Sequence, residues 1–170
     1  FVRASYDFMD QPLDDKTLIK EANWAEQIAH GKPSGIDTQT IVSNKPVWFK
    51  QGQAETLKSL KLNGYMVVID TGVKGSTKQA VEDVHVLCES DEYMKYVEHI
   101  GTLVHRASES IEQHDFHHLA DIFNACQEDL RHLTVSHDKI ERLLQIGKEH
   151  GAIAGKPVSY THLTLPTNRE

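Results

Sequence analysis

Helical periodicity is stopped hard at Gly31-Lys32-Pro33-Ser34-Gly35, and that stop constrains what lies on either side of it. Upstream, Leu18, Ala22, Ala25 and Ala29 fall on one stripe of a helix, the spacing that buries one face. Asp14 or Asp15 can cap its start. Gly31 suits the left-handed position just past a helix end, and Pro33 prevents continuation. Gly35 can adopt backbone angles denied to other residues, so Pro33 and Gly35 frame a tight turn. The turn is expected to deliver Asp37 beside the end of the helix that carries Glu26. Glu26 follows Ala22 by one turn and so lies at the edge of the apolar stripe.

Phe1 to Met9 reads as the tail of a helix that began earlier, broken by Asp10-Gln11-Pro12. After Asp37 the pattern turns β-like. Thr38 to Val42 and Val47 to Phe49 are β-rich runs, and Ser43-Asn44-Lys45-Pro46 between them is a hairpin signal. Gln51 to Asn63 reads as polar connection. Tyr65-Met66-Val67-Val68-Ile69 is a continuous apolar run of the buried-strand kind. It leads into Asp70-Thr71-Gly72-Val73-Lys74-Gly75, and Ser76 or Thr77 can cap the helix that follows. A strand, a Gly-rich loop and a helix N-terminus can cradle an anion, although the spacing is not that of a Walker A loop. From there to about residue 150 four helices are expected. Their apolar faces carry Val81, Val84 and Leu87, then Tyr96, Ile100, Leu103, Val104 and Ala107. The third carries Leu119, Ile122, Phe123, Cys126 and Leu130, and the fourth Ile140, Leu143, Leu144 and Ile146.

The formal net charge of −7 supplies no electrostatic attraction for nucleic acid or an anionic membrane. Hydrophobic residues make up 39% and charged residues 25%, a globular balance. The run Tyr65 to Ile69 is far too short to span a bilayer. Cys88 and Cys126 show no metal-ligand spacing and read as two reduced thiols of a cytoplasmic protein. His114, His117 and His118 cluster with Asp115, but zinc wants a further ligand at defined spacing, so these read as helix-junction residues.

Two acidic residues brought together by a helix and a rigid loop suit phosphoryl transfer. One can hold the metal on a nucleotide, and the other can orient or deprotonate the attacking hydroxyl. The run Asn23-Trp24-Ala25-Glu26 followed by His30-Gly31-Lys32-Pro33-Ser34-Gly35-Ile36-Asp37 resembles the mevalonate kinases, within the GHMP small-molecule kinase superfamily. Leu130-Arg131-His132-Leu133-Thr134-Val135-Ser136 is similar to a second segment of that family, with Thr134 where glycine is usual. The resemblance implies an α+β domain of helices packed on a small antiparallel sheet. It implies ATP- and Mg2+-dependent phosphorylation of the mevalonate 5-hydroxyl, an early step toward isoprenoids. Asp37 would be the catalytic carboxylate, Glu26 the magnesium ligand and Thr77 part of the substrate wall, while Thr77 by itself reads as a helix cap. A homodimer is compatible with the resemblance.

The resemblance covers residues 1 to 156, the expected C-terminal part of a GHMP kinase whose phosphate loop belongs upstream. Residues 157–170 read as a non-native tail, similar to a sequencing adaptor read through, and are expected to lack regular structure. Two other readings share the motifs: another GHMP kinase acting on phosphomevalonate, homoserine or galactose, or a helical interaction domain without catalysis.

Overall fold

A computed structural model describes residues 1–30, 33–57, 64–73, 75–158 and 162–168. Gly31, Lys32 and Lys74, singled out above, lie outside the described residues, as does the stretch 58–63. The chain divides into two units, Phe1–Leu60 and Lys61–Glu170, which are taken separately.

In the first unit, α1 spans Val2–Phe8 and α2 spans Asp15–His30. Asp14 is the residue that caps α2, its Oδ1 accepting from the Thr17 backbone N–H at 2.7 Å. The expected stripe is only partly realised: Leu18 is buried and Ala22 half-buried, whereas Ala25 is exposed. The run from Thr38, expected as a strand, is instead helix α3, Ile36–Ser43. Its β-branched residues favour a strand, but local bonds decide otherwise. Gly35 starts the helix, Gln39 N–H bonds back to the Gly35 carbonyl at 3.1 Å, and Thr40 Oγ1 bonds to the Ile36 carbonyl at 2.7 Å. The hairpin therefore falls later in the chain than expected. Strands β1 (Val47–Lys50) and β2 (Gln53–Thr56) pair antiparallel, Lys50 opposite Gln53. Gln51 and Gly52 join them at φ 49° and 81°, the positive-φ pair of a two-residue hairpin turn.

In the second unit, β3 (Gly64–Asp70), β4 (Lys156–Val158) and β5 (His162–Asn168) form an antiparallel sheet in the order β3-β5-β4. Lack of structure from Pro157 onward is thus corrected for 157–158 and 162–168. Leu163 and Leu165 alternate with Thr164, a period-two pattern that a strand can use. Pro166 is tolerated because β4 reaches only Thr164, so one side of β5 has no ladder at that point. The register of β3 with β5 runs from Gly64–Asn168 to Asp70–His162. Burial of Tyr65 to Val68 is also corrected: each is 41–63% exposed.

The helices are α4 (Thr77–Leu87), α5 (Asp91–Gln113), α6 (Phe116–His132) and α7 (Asp138–Glu149). Five of the expected inward positions, Leu103, Leu119, Ile122, Ile140 and Leu144, are buried. Val81 and Val104 are exposed. Ile140, Leu144 and Ala152 form a core cluster against Ile69 and Leu143. His114, left-handed at φ 58°, ends α5, and Asp115 caps α6 by accepting from the His118 N–H at 2.9 Å. Asn124 Nδ2 donates to the Ile153 carbonyl at 3.1 Å, tying α6 to the chain that leads into β4.

A polar knot closes the link from α6 to α7. Glu141 Oε1 accepts from Gln127 Nε2 at 2.8 Å and from Ser136 Oγ at 2.5 Å, while its Oε2 accepts from Arg131 Nε at 2.8 Å. Partial burial pushes the Glu141 carboxyl up, but the bonds from Arg131, Ser136 and Gln127 outweigh it and hold the group below its ordinary value. Stability from a group lowered in this way is present above its unfolded pKa and is lost as pH falls through its folded value. Glu141→Gln is therefore expected to lower the thermal midpoint at neutral pH. The gap to wild type should narrow as pH is taken below about 4, a comparison that calorimetric melts across pH would check. Thr134, in the same link, sits at φ 58°, a left-handed conformation that strains a β-branched residue. Thr134→Gly is expected to raise stability by about 0.5–1 kcal/mol, read from urea unfolding; a lower midpoint would contradict it.

Candidate active site

The site is assembled at the join of α2 and α3. Glu26 lies in the last turns of α2 and is half-buried. Ser34 Oγ accepts from the Ile36 N–H at 3.3 Å, and Gly35 takes φ 85° and ψ −4° as the residue from which α3 begins. No L side chain adopts that backbone without strain. Asp37 then falls in the first turn of α3, exposed to solvent. A carboxylate there is favoured by the backbone N–H groups of the helix start.

Asn23, on α2, lies against this turn: a Cβ added to Gly35 would sit 3.8 Å from Asn23 Oδ1. Asn23, Gln27, Ser34, Gly35, Gln39 and Phe49 help to line a cavity of about 490 Å3. Sequence reasoning gave Asn23 no role beyond its place in the motif and passed over Gln27 and Gln39, because neutral amides carry no signal of their own.

Glu26, the residue that the resemblance assigns to magnesium, offers a single half-buried carboxylate. Among the described residues no group of three or more His, Cys, Asp or Glu converges on one point. That fits an ion that takes one or two protein carboxylates and completes its shell with water and nucleotide phosphates, and does not fit an all-protein cage.

Thr77 lies in the second unit, exposed, as the first residue of α4; the cap itself is Ser76, whose Oγ accepts from the Gln79 N–H at 3.2 Å. The loop before it is shaped by two side chains. Asp70 Oδ1 accepts from the Gly72 N–H at 2.8 Å, and buried Thr71 Oγ1 accepts from the Val73 N–H at 3.2 Å. Lys139 Nζ reaches the loop, 3.7 Å from where a Gly72 Cβ would be. This cation, supplied from far along the chain, had no local signature. Cys88 and Cys126 are free thiols, and burial pushes the Cys126 thiol up, away from reactivity.

Comparison with known proteins bears on this arrangement. No family model matches the chain. The mevalonate kinase of Aeropyrum pernix is 35% identical over 150 residues, covering 85% of this chain and 46% of the relative. The crystal structure of mevalonate kinase from methicillin-resistant Staphylococcus aureus is 58% identical with a TM-score of 0.78, covering all of this chain and 55% of that one. Over most of its length the chain is similar to mevalonate kinases. It spans about half the length of the curated mevalonate kinases it matches. Mevalonate kinase from L. major, solved in complex with R-mevalonate, shares the fold at 23% identity and a TM-score of 0.78. The α+β architecture expected from the resemblance is that of mevalonate kinases. Among the described residues no helix is long and apolar enough to cross a membrane.

Proposed function

We propose that this chain is the C-terminal portion of an ATP-dependent mevalonate kinase that phosphorylates the mevalonate 5-hydroxyl. The observation that carries the reading is Asp37, held in the first turn of α3 by the left-handed Gly35 turn, in a chain 58% identical over its whole length to the Staphylococcus aureus enzyme. In this reading Asp37 orients the acceptor hydroxyl and takes its proton as the oxygen attacks the γ-phosphorus. Glu26 would hold magnesium, which supplies positive charge to the phosphates when bound. The exposed Thr77 would form part of the substrate wall. Mevalonate and ATP are then the substrates, and cytoplasmic location and homodimeric assembly go with the reading.

The test is a hybrid enzyme in which residues 1–156 replace the segment they match in the Staphylococcus aureus enzyme. ADP release would be followed with mevalonate, phosphomevalonate, homoserine and galactose in turn. Turnover on mevalonate alone supports the reading, and turnover on another acceptor instead would redirect it. In that hybrid Asp37→Ala is expected to lower kcat by ~10²–10⁴-fold with little change in KM for ATP. Equal turnover by variant and parent would remove Asp37 from the chemistry. Glu26→Gln is expected to raise the magnesium concentration needed for half-maximal rate. An unshifted magnesium titration would return Glu26 to the surface.

A further inference from the structure

Asn23 Oδ1 is buried and meets no hydrogen-bond donor among the described residues. Buried polar atoms in native folds are almost always satisfied, so an exception calls for an explanation. This one lies against the Gly35 turn, and Asn23 is one of the residues that line the adjoining cavity of about 490 Å3. Gln27 lies one turn further along α2 and so shares its face with Asn23. With Gln39 and Ser34 it adds neutral donors and acceptors, and Phe49 adds an apolar wall. Among the described residues that line the cavity none is ionisable, so a phosphate or carboxylate would find no counter-charge from them. A neutral hydroxyl donor matches both the lining and the unmet acceptor.

We propose that Asn23 is a binding residue of this site, its side-chain oxygen accepting a hydrogen bond from a hydroxyl of the bound substrate. The inference rests on the kinase reading, in which two sources bring hydroxyls here: the acceptor alcohol and the ribose of the nucleotide. In the hybrid enzyme Asn23→Ala is expected to raise the KM for one of them by about five- to tenfold, the worth of one neutral hydrogen bond, with little change in kcat. A rise confined to mevalonate assigns the acceptor. A rise confined to ATP, and absent with the deoxyribose nucleotide, assigns the ribose.

If Asn23→Ala leaves both KM values unchanged and shifts only the melting temperature, the oxygen serves water or packing, and the proposal fails while the kinase reading stands. If the hybrid turns over no acceptor, the kinase reading fails. The site is then decided on the chain itself, by titrating the Asn23 side-chain amide resonances with R-mevalonate and with ATP. A saturating shift with either supports a hydroxyl-binding site, and none with both overturns it.

Discussion

The left-handed backbone of Gly35 is the constraint on which the candidate site depends. At φ 85° Gly35 is the residue from which α3 begins. A side chain at that position would not collide with Asn23, since the gap of 3.8 Å is ordinary contact. Glycine is needed there for its conformation and not for space. The turn sets the place of Asp37 in the first turn of α3.

How much of this was legible varies with the range of the interaction responsible. The Asp14 cap and the Ser76 start of α4 were readable because a cap and the N–H it serves lie within one turn. The stretch after Asp37 was not: Thr38, Thr40, Ile41 and Val42 each favour a strand, and a glycine start with a Thr40-to-Ile36 bond overrides them. For Tyr65 to Val68 the strand was legible and the burial was not. Apolar sequence reports what a segment would prefer to cover, not what covers it. In the tail, two prolines hid a period-two pattern that pairing with β3 brings out.

Of the site, the acidic pair and the turn were visible as a motif. The neutral amides around them and Lys139 beside Gly72 were not, because their role comes from folding distant segments together. The knot around Glu141 illustrates the same point. Nothing in the sequence joins Gln127, Arg131, Ser136 and Glu141, and only the α6–α7 geometry makes one carboxylate the shared acceptor of three donors.

The sheet order has a kinetic consequence. Helices α5 and α6 are joined by two residues, His114 and Asp115, so their packing closes almost no loop. Strand β3 must instead find β5 across every helix of its unit, since Gly64 pairs with Asn168. Closing a long loop costs entropy before the ladder repays it, and folding slows as partners lie further apart in the chain. The helical hairpin can therefore form early, while β3 waits as an apolar ribbon with an unpaired edge. During that interval another chain's strand can compete with β5 for the same backbone groups, and the competition strengthens with concentration.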